Sequence, residues 1–135
     1  MKKVFLTLFT LLLVSGCGCS TGLEERGNGI YIHITNNTGF DVYGLEVNME
    51  NSSHMIVNAD GNKMGKGETM VIELLKEDVV MPDSRTFEVF MLGDKSGNKR
   101  IAVEHSYDID FRSGQNWYFT VNGDAVNKLA LYKGK

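Results

Sequence analysis

The sequence predicts an all-β protein. It is expected to be an antiparallel β-sandwich of seven or eight strands, immunoglobulin-like or related, with a small β-barrel as the other way to pack such strands. Three observations carry that expectation. From Ile30 to Leu131 the chain carries a series of short runs in which apolar residues recur at every second position. Clusters of Gly, Asn, Asp and Ser separate these runs at short, regular intervals. The one stretch that could begin a helix, Leu74–Val80, is short and runs into Pro82. A period of two puts alternate side chains on one face of a sheet. Gly, Asn and Asp supply the backbone conformations that tight hairpins require.

The strands follow in order. Ile30, Ile32 and Ile34 alternate with Tyr31 and His33, and Tyr43, Leu45, Val47 and Met49 with Gly44, Glu46 and Asn48. Residues 55–59 are a weaker candidate. Met70, Ile72 and Leu74 come next, then Phe87, Val89 and Met91, then Ile101 and Val103. Tyr107, Ile109 and Phe111 precede Trp117, Phe119 and Val121, and Leu129 and Leu131 close the series. The run Phe87–Leu92 is apolar on both faces, which suits a central strand or one covered by a loop. The segment Glu77–Asp83, with Val79, Val80 and Met81, is the cover the sequence suggests.

The chain has 135 residues, 42% of them hydrophobic and 23% charged, with a net charge of −3. This fits one small domain. No positive field exists to attract phosphates, so nucleic acid is not an expected partner.

The first twenty residues differ from the rest. Lys2 and Lys3 precede an apolar run, Val4–Val14, interrupted only by Thr7 and Thr10. Small residues Ser15 and Gly16 follow, then Cys17. A cationic start, an apolar stretch of about 7–15 residues and a small-residue exit describe a secretory signal. The run is too short for a bilayer, whose core takes about 20 residues to cross. The expected divisions are residues 1–16 as signal peptide, 17–29 as a Gly-rich polar tether, and 30–135 as the folded domain. Without Lys2 and Lys3, 12 basic residues face 17 acidic ones, a net of −5.

Leu13-Val14-Ser15-Gly16-Cys17 resembles the lipobox of bacterial lipoproteins. The resemblance implies that the Cys17 sulfur takes a diacylglyceryl group, that cleavage falls just before it, and that the new amine is acylated. It implies attachment to the cell membrane or outer membrane on the extracytoplasmic face. Gly18 is not the aspartate that commonly retains such proteins at an inner membrane. Anchoring needs two or more chains, since one acyl chain holds a protein only marginally. Cys19 is the only other cysteine, so with Cys17 lipidated the folded part contains no disulfide. A second stretch, ITNNTGFDVYGLEV, followed by Met64-Gly65-Lys66-Gly67-Glu68 and FEVFMLGDKSGN, resembles small secreted bacterial β-sandwich domains of no settled function. That resemblance rests on turn residues and implies the fold alone.

Catalytic patterns are wanting. Gly93-Asp94-Lys95-Ser96-Gly97 misplaces the serine of a Gly-x-Ser-x-Gly elbow, and no cysteine lies near a histidine. The run Gly61–Gly67 is one residue short of a phosphate-binding loop, and Gly67 stands where Ser or Thr would hold Mg²⁺. Asp94-x-Ser96-x-Asn98 has calcium-loop oxygen spacing, but Gly97 comes too early for the motif glycine and His105 stands where the bidentate acid belongs. His33, His54 and His105 lack metal-ligand spacing. Asp108 and Asp110 would share one strand face and could hold a hard cation if Asp41 or Glu46 joined them. Tyr31, Tyr118 and Tyr132 could form an exposed aromatic patch, the usual mark of a binding surface. The expected role is a noncatalytic, cofactor-free binding or interaction module of the cell envelope, with a protein, peptide or glycan as partner. The alternative is an inhibitor that protects the envelope against a hydrolase such as lysozyme or a protease, although the cysteines that mark lysozyme inhibitors are missing.

Overall fold

The computed structural model describes residues 29–50, 52–75, 85–110 and 116–134. Cys17, Cys19, the expected signal and tether up to residue 28, and the loop Glu77–Asp83 lie outside them. The described residues form nine strands: β1 (Gly29–Thr38), β2 (Gly44–Met49), β3 (Ser52–Val57), β4 (Thr69–Leu75), β5 (Arg85–Leu92), β6 (Arg100–Ala102), β7 (Tyr107–Ile109), β8 (Asn116–Gly123) and β9 (Ala130–Lys133). They make two sheets. The first has the order β4-β1-β8-β9; the second has β3-β2-β5-β6, with β7 also paired to β5.

The alternation in the sequence becomes the interior of the sandwich. Ile30, Ile32 and Ile34 of β1, Met70, Ile72 and Leu74 of β4, and Phe119 and Val121 of β8 point inward from the first sheet. Leu45 and Val47 of β2 and Phe87, Val89 and Met91 of β5 meet them from the second. Each such side chain contributes roughly 1.5–3 kcal/mol by leaving water. Phe87 and Phe119 touch across the layers with ring centroids 4.6 Å apart. The Tyr107 hydroxyl donates to the Leu131 carbonyl at 3.1 Å, tying β7 to β9.

The sandwich forms as the alternation leads one to expect, with two departures in its wiring. One pairing is parallel: β1 runs antiparallel to β4 but parallel to β8, from Tyr31 beside Asn116 to Thr38 beside Gly123. The strand order is also not the immunoglobulin one, in which the first two strands are sheet neighbours; here β1 and β2 lie in different sheets. The strand count exceeds seven or eight because the weak candidate near residue 55 is a strand, β3. In addition, β6 and β7 share one edge of β5 in tandem, at Phe90–Leu92 and Arg85–Phe87. Between β6 and β7 the chain leaves the second sheet. Glu104 N–H donates to Leu129 O at 2.7 Å, and Leu131 N–H donates to Glu104 O at 3.0 Å. His105 then turns back with φ 71°, a left-handed conformation that costs a non-glycine residue free energy.

The two turn motifs in the sequence are one structural unit, joined by Asn36. Its side chain is 1% exposed. Asn36 Nδ2 donates to the carbonyls of Met64 (3.1 Å) and Gly65 (3.3 Å). Its Oδ1 accepts from Thr38 N–H (3.0 Å) and Thr38 Oγ1 (2.7 Å). Gly67, at φ 85°, donates its N–H to the Asn36 carbonyl at 2.6 Å. The Asn-Asn-Thr-Gly turn and the Gly-x-Gly-Glu turn therefore satisfy each other's buried polar groups, as burial requires.

Candidate functional site

Two outward faces carry the chemistry, and they differ in kind. The outer face of the first sheet holds the aromatic residues. On β1 the outward side chains are Tyr31, His33, Thr35 and Asn37; opposite them on β8 stand Asn116, Tyr118, Thr120 and Asn122. Tyr118 is 48% and Tyr132 52% exposed. Tyr132 lies opposite Thr120, and Gly134 N–H donates to Tyr118 O at 2.7 Å, so the two tyrosines are diagonal neighbours on one face. Diagonal neighbours stand about 7 Å apart, within reach of a single ligand. The His33 ring stacks on Tyr118 with centroids 4.5 Å apart and 19° between planes. His33 Nε2 and Asn116 Oδ1 are 2.8 Å apart, which fixes the imidazole. The hydroxyls of Thr35 and Thr69 meet at 2.7 Å, and Asn37 Nδ2 donates to Asn122 Oδ1 at 2.5 Å.

Tyr31 does not join this patch. It is on the same side of the sheet but only 2% exposed. Its ring folds back along β1 over Gly29, where a Cβ would come within 3.2 Å of Tyr31 Cζ. Its hydroxyl donates to Glu73 Oε1 at 3.1 Å. The glycine that opens the strand makes room for the ring, and alternation alone does not reveal that. Trp117 faces the interior and packs against the core half-buried, with Lys133 Nζ 4.5 Å above its ring.

The outer face of the second sheet is charged. A cleft of about 930 Å³ is lined by Glu46, Asn48, Ser53, Glu88, Arg100 and Asp108, among others. Glu46 is buried in the middle of β2. Its carboxylate takes Arg100 Nε at 2.6 Å on Oε2, and Arg100 Nη2 at 3.0 Å on Oε1. Ser53 Oγ donates to Oε1 at 3.0 Å. Asn48 completes the cluster, its amide nitrogen 3.0 Å from Glu46 Oε1 and its oxygen 3.1 Å from Arg100 Nη2. The Arg100 guanidinium lies 4.2 Å above the Phe90 ring. This explains half of the two-sided apolar strand: Arg100 covers Phe90. The Asp94–Asn98 loop covers Leu92, with Gly97 close to both Leu92 and Met55.

The expected cation site does not assemble. Asp108 is exposed and accepts from Thr86 Oγ1 at 2.5 Å, while Asp110 lies past the end of β7. The other two acids of that expected site are each paired with a cation. Glu46 has Arg100, and Asp41 has Lys63 at 2.6 Å. That hydrogen bond, then the charge of Asp41, raises the Lys63 pKa above its usual value. Among the described residues no group of three His, Cys, Asp or Glu is placed to hold a metal. The calcium-like spacing at Asp94 is a turn that satisfies itself. Asp94 accepts from Ser96 Oγ (2.8 Å), Asn98 N–H (3.1 Å) and Lys99 N–H (2.7 Å). The Ser96 hydroxyl first, helped by these amides, outweighs desolvation and holds the Asp94 carboxyl below its usual pKa.

No protein-family model and no curated protein matches the sequence. Among solved structures, the chain is similar to the NMR structure of a protein from Eubacterium rectale, with a TM-score of 0.46 and 14% identity over 84% of this chain and 96% of that one. It is also similar to a disulfide-locked mutant of intermedilysin with human CD59, with a TM-score of 0.39 and 9% identity over 78% of this chain and 24% of that one. Likenesses this slight carry nothing about function.

Proposed function

We propose that this protein is a lipid-anchored, extracytoplasmic lipoprotein and that its sandwich is a noncatalytic binding module of the cell envelope. Cys17 carries the anchor in this reading, and the support for it is the lipobox Leu13-Val14-Ser15-Gly16-Cys17. The observation that carries the binding role is the pair Tyr118 and Tyr132, about half exposed and adjacent on one sheet face. Large rings held in water at a fixed spacing are costly to leave bare, and they give a ligand much contact area for little lost side-chain freedom.

The experiment has two arms on the full-length protein. Growth with an alkyne-tagged fatty acid should label the wild type and leave Cys17→Ser unlabelled and released from the membrane. A photo-crosslinking residue at Thr120, between the tyrosines, should give a discrete adduct in intact envelopes that vanishes in Tyr118→Ala/Tyr132→Ala. Equal labelling of both forms would refute the anchor. An adduct indifferent to the tyrosines would refute the binding face.

A further inference from the structure

We infer that the ligand of the Tyr118–Tyr132 face is a neutral glycan chain, an inference that rests on the binding-module reading above. The first observation is charge. The outward residues from Thr35 to Asn37 on β1, from Tyr118 to Asn122 on β8, and from Ala130 to Tyr132 on β9 include no Asp, Glu, Lys or Arg. Glu73 lies at one end of the face, beside Tyr31, and accepts that hydroxyl. The other sheet presents Glu46, Glu88, Asp108 and Arg100 outward. The two faces of this small sandwich are thus sorted by charge. An anionic polymer or a basic peptide has no counter-ion on the first face, whereas an uncharged ligand loses nothing by leaving ions behind.

The second observation is the kind of polar group present. Thr and Asn side chains and Tyr hydroxyls both donate and accept, as sugar hydroxyls do. Neither Tyr118 nor Tyr132 has a hydroxyl partner among the described residues. The pairs Thr35–Thr69, Asn37–Asn122 and His33–Asn116 hold neighbouring side chains in place before any ligand arrives. Such ordering lowers the entropy lost on binding. The third observation is the aromatic geometry. His33 stacks on one face of the Tyr118 ring and leaves the other turned toward β9, the side that carries Tyr132. Two ring surfaces separated by one diagonal step suit the apolar C–H faces of successive sugar units.

The test is calorimetric titration of the detergent-solubilised full-length protein with four probes. Chitohexaose and cellohexaose are neutral, polygalacturonate is anionic, and glucosamine hexamer is cationic. Binding of a neutral probe is expected, with affinity reduced about tenfold in Tyr132→Ala, whose stacking surface is lost. Tyr132→Ala should melt at the wild-type temperature, and Glu88→Gln on the opposite face should bind normally. Three results would each overturn the inference: no binding of either neutral probe at millimolar concentration, equal or tighter binding of a charged probe, or binding lost in Glu88→Gln and kept in Tyr132→Ala. Glycan binding that fails beside a tyrosine-dependent protein adduct at Thr120 would remove the glycan and leave the binding module. Failure of both would remove the module as well.

Discussion

Replacing Asn36 with alanine removes the one side chain that joins the two turns at the end of β1. Four hydrogen bonds go with it, two donated by Nδ2 and two accepted by Oδ1. Not all count equally. The Gly65 carbonyl keeps Glu68 N–H at 3.1 Å, and Thr38 Oγ1 keeps a long contact to Phe40 O. The losses that matter are the amide donor to the Met64 carbonyl and the acceptor of Thr38 N–H, both on residues within the interior. An unsatisfied buried group costs about 1–3 kcal/mol, so the substitution is expected to cost about 3 kcal/mol in all. For a domain of this size that lowers Tm by about 12–24 °C. Urea denaturation followed by tryptophan fluorescence and circular dichroism would measure it. Asn36→Asp is the sharper variant. It keeps the acceptor for Thr38 but turns a second oxygen onto two carbonyls in a buried position, so its folded pKa lies above the unfolded value of about 3.9. Its stability is therefore retained below that value and lost as pH rises through the folded pKa. At neutral pH it should be worse than alanine. A loss under about 1 kcal/mol for alanine, or equal losses for both variants at neutral pH, would refute the reasoning.

Three further outcomes are expected. Gly123 has φ 151°, and a Cβ there would lie 2.4 Å from Lys128 O, so Gly123→Ala should open the β8–β9 hairpin and cost about 2–3 kcal/mol, read by thermal melting. Arg100→Ala strips the cation from a Glu46 side chain that is 9% exposed, but Arg100 itself is 44% exposed, so about 1–2 kcal/mol is expected rather than the 3–5 of a fully buried pair. A double-mutant cycle with Glu46→Ala that returned no coupling would show that the pair contributes nothing to stability. The lowered Asp94 pKa means its turn is held above the ordinary carboxyl value of 3.8 and lost as pH falls through the folded value. Amide exchange at Asn98 and Lys99 should then accelerate selectively, ahead of β5, and exchange unchanged down to global unfolding would contradict this.

Most of the strands were legible because one side of each faces a single apolar interior; β3, with no buried side chain, was the weak candidate. Leu45, Val47, Phe87 and Val89 are where a period of two puts them, and the interior holds them. The order of strands was not legible. Whether Tyr118 neighbours His33 depends on the parallel β1–β8 pairing, and residues 85 apart leave no local trace of it. Glu46 and Arg100 are likewise two strands apart in the sheet, so no spacing predicts their ion pair. Of the candidate tyrosines, Tyr118 and Tyr132 stand on the surface as the sequence allowed, whereas Tyr31 is buried because Gly29 leaves room beneath its ring. Asn36 looked like a turn residue and is one. Its burial follows from a contact with Met64 and Gly65, which the sequence quotes nearly thirty residues later.

The position of β1 also sets a schedule. Among the described strands it comes first in the sequence, yet it occupies the middle of its sheet, between β4 and β8. Its pairing with β8 reaches Gly123. A chain that emerges N-terminus first must keep three inward isoleucines unpaired on one side until nearly everything else has emerged. Closing so long a loop is entropically slow and makes folding depend on distant contacts. The first sheet therefore cannot close around β1 until β8 has been made. A truncation before β8 should leave a chain that any holding chaperone or protease can still read as unfinished.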